Sequence, residues 1–172
     1  MQNLQPRPKH IVAFSVRYGI EIDEIIALLL KKKGVRLRRP PAELNPKNFP
    51  RTLQLRSETG TIAAEMVRFD EALDTPQAME KLHGMRLWPV GIHELLELAG
   101  SFPEVLMWSS LVALGSKWTD PETGLSYIPY IFYSEENGIS IDLMESGEEW
   151  SAECSFPAVT LEASKKINLI NR

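Results

Sequence analysis

The sequence has little of what metal sites, disulfides and nucleotide sites require. It contains one cysteine and three histidines among 172 residues. The single Cys154 excludes a disulfide within the chain and leaves no cysteine cluster for zinc. Neither the G-x-G-x-x-G pattern nor the P-loop pattern occurs, so these two phosphate-binding loops are excluded. The histidine spacing predicts no metal cluster, and we expect no metal and no cofactor.

Long apolar runs are also missing. The longest aliphatic run, Ile25 to Leu30, is far shorter than the ~20 apolar residues that a membrane span needs. The chain starts with a basic stretch, but the apolar residues that follow end at Arg17, so we expect no signal peptide. With 44% apolar and 24% charged residues, the composition is that of a globular protein. We therefore expect a cytoplasmic protein without a membrane partner.

Charge is distributed unevenly along the chain. Residues 1–56 carry 12 basic and 4 acidic residues, whereas residues 57–172 carry 7 basic and 19 acidic residues. The densest basic run extends from Lys31 to Arg39. Such asymmetry is typical of a surface for nucleic acid or an acidic partner, and equally of a fold whose halves dock on each other. Because the isoelectric point is about 5.5, only a local patch could bind nucleic acid.

The chain length predicts one domain over residues 1–172. The alternative is a division into a basic, helical part (1–84) and an acidic, aromatic part (85–172).

Hydrophobic periodicity predicts helices in the first two thirds of the chain. Alternation over Ile11 to Tyr18 indicates a strand, and a second, short strand is expected at 52–56. Helices are predicted at 23–33, 61–73, 75–84 and 92–99, with Thr75 as the N-cap of the third. The four prolines at positions 40 to 50 indicate a structured loop.

The last third has strand patterns. Residues 127–133 and 139–144 predict a hairpin, and a four-residue loop is the preferred register because it sets Ile141 against Phe132. Pro129 then favours an edge strand or a bulge. Residues 150–156 alternate as a half-buried strand that buries Cys154. The predicted fold is therefore α+β, with about four helices and an antiparallel C-terminal β-meander.

No catalytic motif is evident. His93 and Glu97 lie four residues apart, but a zincin motif needs a second histidine at the latter position. Ile92, Leu95 and Leu96 form the apolar side of this helix, which should leave His93, Glu94 and Glu97 in water. The segment 120–124 does not have the residue spacing of a calcium-binding loop. Pairs of acidic residues could form a glycoside hydrolase site, but the sequence does not give the distance between their carboxylates in space.

Basic and aromatic residues are the remaining candidates for function. The arginines flank the proline-rich loop, and the tryptophans could stack on a partner. The candidate partner-binding residues are Arg36, Arg38, Arg39, Arg51, Arg56, Trp88 and Trp118. The first hypothesis is a non-catalytic binding protein for a protein or an acidic ligand. The alternatives are a nucleic-acid-associated protein acting through residues 31–39, which is not favoured, and a small hydrolase built from dispersed histidines and carboxylates.

One segment, 85–110, has a recognisable combination of residues: Arg86, Leu87, Pro89, Glu94, Leu95, Trp108, Ser109 and Ser110. With these residues it resembles a segment of C-type-lectin-like modules related to formylglycine-generating enzymes. The resemblance implies a C-type-lectin-like C-terminal half over residues 85–159, and it carries over no catalytic residue. The segments 112–118 and 127–130 are similar to bacterial proteins without an assigned activity.

Overall fold

The computed structural model describes residues 10–32, 36, 38, 40–50 and 59–166. Helices and strands alternate irregularly along this part of the chain, which confirms the α+β class. A 3-10 helix at Pro103–Met107 follows the third α-helix. The α-helices are α1 (Ile22–Lys31), α2 (Thr75–Gly84), α3 (Ile92–Ser101) and α4 (Leu161–Lys166). The strands are β1 (Ile11–Arg17), β2 (Thr59–Val67), β3 (Leu87–Pro89), β4 (Ser110–Val112), β5 (Trp118–Thr119), β6 (Ser126–Ser134), β7 (Gly138–Glu145) and β8 (Cys154–Thr160).

All eight strands belong to one mixed sheet. Its main path runs β1-β2-β8-β4-β6-β5, with β3 paired to β8 and β7 paired to β6. Among the strand pairs of the described residues, only β4–β8 is parallel. The N-terminal β1 and β2 are thus joined through β8 to strands of the C-terminal half.

Strand β1 and helix α1 confirm the predictions for the start of the chain. Phe14 and Val16 of β1 are buried, whereas Ile11, Ala13 and Ser15 are exposed, as alternation requires. In α1 the apolar residues Ile22, Ile25 and Leu29 pack into the core, while Asp23 and Glu24 lie in the first turn. This arrangement agrees with the helix dipole, which favours acidic residues at that end.

The helix predicted at 61–73 is wrong, because residues 59–67 form strand β2. The spacing of Ile62, Met66 and Phe69 matches helical periodicity. In the structure, however, Ile62 and Ala64 are buried while Thr61 and Ala63 are exposed, which is the alternation of a strand. Pairing with β1 along seven residues and with β8 explains why tertiary context overrides the local pattern. The predicted strand at 52–56 lies outside the described residues.

Helix α2 has the predicted bounds with a different cap. Asp74, rather than Thr75, is the N-cap residue, and its carboxylate accepts a hydrogen bond of 2.8 Å from the backbone N–H of Gln77. The Gln77 side-chain oxygen in turn accepts from the Asp74 N–H at 3.0 Å, which completes a capping box. Helix α4 lies in the segment 161–172, whose sequence pattern favours neither a helix nor a strand.

The hairpin of β6 and β7 exists, but the preferred register is off by one residue. Ile141 lies opposite Ile131, and Ser134 lies opposite Gly138, which leaves a three-residue loop. Gly138 adopts φ +72°, the left-handed conformation that such loops place after the turn. Pro129 is not at an edge either, because β6 pairs with β7 on one side and with β4 and β5 on the other.

The strand predicted at 150–156 begins four residues late. Trp150 forms only an isolated bridge with Leu73, and β8 runs from Cys154 to Thr160. Residues 154–159 are buried on both sides, Ser155 included, because β8 lies inside the sheet. The predicted C-terminal meander is not confirmed, since β8 pairs with β2, β3 and β4.

The core extends across both halves of the chain. It includes Phe14, Ile25, Leu96 and Ile139 in one cluster, while Leu82, Trp150 and Phe156 belong to a second cluster. The loop at 40–50 contributes the buried Leu44 and Phe49, and this confirms that the proline-rich segment is structured. None of the helices in the described ranges is long and apolar enough to cross a membrane.

Candidate partner-binding site

A cleft of about 660 Å³ lies where β1 ends beside the last turns of α1 and α3. Its lining is rich in cationic and hydroxyl side chains. Arg17, Lys31 and Lys32 are its cations, and Glu97 is its one carboxylate, so the formal charge of the lining is positive. The other lining residues are Ser15, Leu28, Leu29, Thr59, Gly100 and Ser101.

Arg17 is fixed in this cleft by Glu97. The carboxylate of Glu97 accepts hydrogen bonds from Arg17 Nε at 2.7 Å and from Arg17 Nη2 at 2.9 Å, which is a bidentate ion pair. Glu97 Oε1 also accepts from the backbone N–H of Arg17 at 3.2 Å. The hydrogen bond to Glu97 raises the pKa of Arg17. The Arg17 side chain keeps 43% exposure, whereas that of Glu97 keeps 7%.

The two lysines at the end of α1 differ in what they bind. Lys32 Nζ donates to the backbone carbonyl of Gly100, and this bond connects the ends of α1 and α3. Lys31 is exposed and has no carboxylate within ion-pair distance among the described residues. Both positions are favourable for cations, because the C-terminal end of a helix is partially negative. Lys31 therefore remains available to an anionic partner.

Of the five predicted arginines, the structure describes Arg36 and Arg38. Their backbone is bound to the start of β7: Ile139 N donates to Arg36 O at 2.7 Å, and Arg38 N donates to Ile139 O at 2.8 Å. Both side chains are exposed, and neither forms an ion pair within the described ranges. Arg36 and Arg38 are thus hydrogen-bonded to the acidic half through their backbone, and their side chains are exposed to water. Arg39, Arg51 and Arg56 lie outside the described residues.

The predicted tryptophans lie away from the cleft. Trp88 is half-buried on β3 with its ring 5.5 Å from that of His83. Trp118 is half-buried on β5 and stacks on Tyr127 at 5.6 Å. The most exposed tryptophan is instead Trp108, at 79%. It follows Met107 at the end of the 3-10 helix, and no sequence pattern marks its exposure.

The expectation that His93, Glu94 and Glu97 lie in water is wrong. Every residue from Ile92 to Gly100 is buried, because α3 packs against β1, α1, β6 and the 3-10 helix. Glu94 accepts a hydrogen bond of 2.9 Å from Gly91 N, which caps the helix. Glu97 pairs with Arg17. A helix that is enclosed by neighbours on all sides does not keep a polar face in solvent.

Comparison of the chain with known protein families, with curated proteins and with solved structures finds no match.

The nucleophiles and acids that the sequence offers occupy structural positions. Burial raises the pKa of the Cys154 thiol, which disfavours the reactive thiolate. Ser109 Oγ lies 2.7 Å from Ser155 Oγ and donates to the carbonyl of Glu153. Asp120 accepts from Glu122 N and Thr123 Oγ1 in the turn before β6, and these bonds lower its pKa. Among the described residues, no group of three His, Cys, Asp or Glu side chains could hold a metal ion.

The side chains of the cleft can therefore bind a ligand. It presents the paired Arg17, two exposed lysines, hydroxyl groups and the exposed Leu28 side by side. None of the three clefts found in the described part of the chain contains a histidine or a cysteine.

Proposed function

We propose that this protein is a non-catalytic binding protein that holds an acidic partner at the cleft formed by Arg17, Lys31 and Lys32. The observation that carries the proposal is which cations of the cleft are already paired with a carboxylate. Glu97 already neutralises Arg17, whereas Lys31 extends into the cleft without a carboxylate partner among the described residues. An uncompensated cation beside a preformed concave surface attracts negative charge and steers its approach.

Arg36 and Arg38 extend the basic surface along the chain beyond α1. Because their backbone is bound to Ile139, the segment is held in place while both guanidinium groups stay exposed. Preorganised cations lose less conformational entropy on binding than cations on a free segment. On this proposal the exposed cations form a partner surface, while Arg17 and Glu97 provide an attraction between the basic and acidic parts of the chain.

Nucleic-acid binding through residues 31–39 remains the alternative. The binding experiment described below distinguishes it from binding of an acidic partner. The hydrolase alternative has no support in the described clefts. The proposal also keeps the C-type-lectin-like assignment of residues 85–159, the cytoplasmic location and the bacterial origin as predictions. The partner-binding roles of Trp88 and Trp118 remain predictions of the same kind.

Fluorescence anisotropy with a labelled peptide of alternating valine and glutamate tests the proposal. We expect binding at low salt that weakens as ionic strength rises, because exposed charges are screened. Replacing Lys31 with glutamine should weaken binding about fivefold, the size of one exposed charge contact. The control Lys47→Gln removes an exposed lysine that does not line the cleft, and it should change nothing.

Two results would count against the proposal. If the acidic peptide binds no better than a peptide of alternating valine and lysine, the cleft does not select anions. If a DNA duplex binds and the acidic peptide does not, with a steep salt dependence, the nucleic-acid alternative takes its place.

A further inference from the structure

Strand β1 has one edge paired with β2 and one edge free of backbone partners. His10 O accepts from Met66 N at 2.8 Å, and the register continues from Ile11 opposite Glu65. In an antiparallel ladder, hydrogen-bonded pairs alternate with pairs that do not exchange bonds. The backbone groups of Ile11, Ala13, Ser15 and Arg17 therefore point away from β2.

The described residues provide only one partner along this free edge. Arg17 N donates to Glu97 at the end of the strand. The N–H groups of Ile11, Ala13 and Ser15 bond to nothing in the described part of the chain. The outer edge of β7, in contrast, is bound at Ile139 by Arg36 and Arg38.

Apart from Arg17 at its end, the sequence of β1 has none of the usual protection of an edge strand. Natural edges are shortened, bulged, or carry lysine or proline that prevents pairing. Strand β1 runs for seven residues, IVAFSVR, with its one charged side chain at the end. Such an edge is a template for another strand, and here it leads directly into the cleft, because Ser15 and Arg17 line both.

We propose that the acidic partner binds in extended conformation as an additional strand beside β1. This inference rests on the proposed function and adds the mode of recognition. The backbone of the partner bonds to Ile11, Ala13 and Ser15, and the carboxylates of the partner reach Lys31 and Lys32 at the end of the cleft. Strand addition of this kind draws affinity from the main chain and selectivity from neighbouring side chains.

Charge and chemistry favour an acidic peptide over other occupants. A nucleic-acid duplex lacks the alternating donors and acceptors that a strand edge requires. Leu28, which is 46% exposed in the cleft, offers an apolar contact that a peptide side chain can use.

N-methylated peptides test the inference without altering the protein. The valine–glutamate peptide is made in two further forms, one N-methylated on every valine and one on every glutamate. Only one of these sets of N–H groups can face β1, because their directions alternate along a strand. We expect one form to bind at least about tenfold more weakly, the loss of more than one hydrogen bond, and the other to bind like the parent peptide.

A protein variant provides the second arm. Ala13→Pro removes an N–H that points away from β2, and edge strands tolerate proline there. We expect Ala13→Pro to weaken peptide binding about tenfold while the matched control Ala13→Ser, which keeps the N–H, does not. Thermal melting of both variants verifies that they are folded.

The outcomes separate the two proposals. If the parent peptide does not bind at low salt, the acidic-partner function is wrong. If it binds, and neither N-methylation nor Ala13→Pro weakens binding more than twofold, the function stands and strand addition is wrong. Equal competition by a DNA duplex would overturn strand addition as well.

Discussion

At the scale of single residues, the ion pair of Arg17 and Glu97 determines the geometry of the cleft. The pair connects β1 to α3 through two side-chain bonds and one backbone bond. Glu97 is almost fully buried, so water can reach its carboxylate only in part. Losing one member of such a pair costs more than the pair contributes, because the other charge remains buried and unpaired.

We therefore expect Arg17→Ala to lower the free energy of unfolding by about 2 kcal/mol, below the full cost for a buried pair because Arg17 is partly exposed. The control Lys81→Ala breaks the surface pair with Glu71, in which both side chains are well exposed, and should cost less than about 1 kcal/mol. Urea unfolding followed by circular dichroism measures both. Adding Glu97→Gln to Arg17→Ala should restore part of the loss. Equal losses in the two single variants would show that the Glu97 pair is not structurally important.

Only some site residues could be found from the sequence. The exposed basic character of Lys31, Arg36 and Arg38 follows from composition and local pattern. Arg17 and Glu97 could not be matched, because they are 80 positions apart and only the packing of α3 on β1 brings them together. The burial of α3 on all sides was missed for the same reason. Helical periodicity predicts one buried face, whereas α3 is enclosed by several elements that are distant in sequence.

At the scale of elements, the contact of Gly138 with Arg36 joins the basic segment to the acidic half. Gly138 has φ +72°, and a Cβ built on it would lie 2.4 Å from Arg36 O. The position therefore needs glycine for two reasons, the left-handed backbone and the close approach of another chain segment.

Two glycine variants separate these reasons. Gly138→Ala should lower the free energy of unfolding by more than about 2 kcal/mol, because backbone strain adds to the clash. Gly124→Ala has the same φ of +72° with no atom within 4 Å, so it should cost only about 1 kcal/mol of strain. Urea unfolding measures the difference. If the two variants lose the same stability, Arg36 does not pack against Gly138 in solution.

The elements that the sequence predicted well are those with strong local signals. Strand β1, helices α1 and α3 and the capped helix α2 follow from alternation, helical spacing and capping residues. Strand β2 and the register of the β6–β7 hairpin could not be predicted, since each depends on a partner that is distant in sequence or on a glycine conformation. The position of β8 inside the sheet depends on pairs with β2, β3 and β4, which no local window contains.

At the scale of the whole molecule, the charge asymmetry of the chain corresponds to an exposed basic surface. Lys31, Arg36 and Arg38 are its described residues. The basic part (1–56) and the acidic part (57–172) are joined by apolar packing, by the β1–β2 pairing and by the ion pair of Arg17 with Glu97. Arg36 and Arg38 form no ion pair with the acidic half within the described ranges, and their hydrogen bonds to it are made by backbone atoms. The positive charge at the end of α1 thus stays available for a partner, and the free edge of β1 lies next to it.

Amide hydrogen exchange with single-residue resolution, with and without the saturating valine–glutamate peptide, tests the central claim most directly. The claim is that one acidic segment occupies the cleft and the free edge together. The amides of Ile11, Ala13 and Ser15 should exchange fast in the free protein, because they lack partners, and slowly in the complex. Fast exchange at these three amides in a complex that is demonstrably formed would contradict the account.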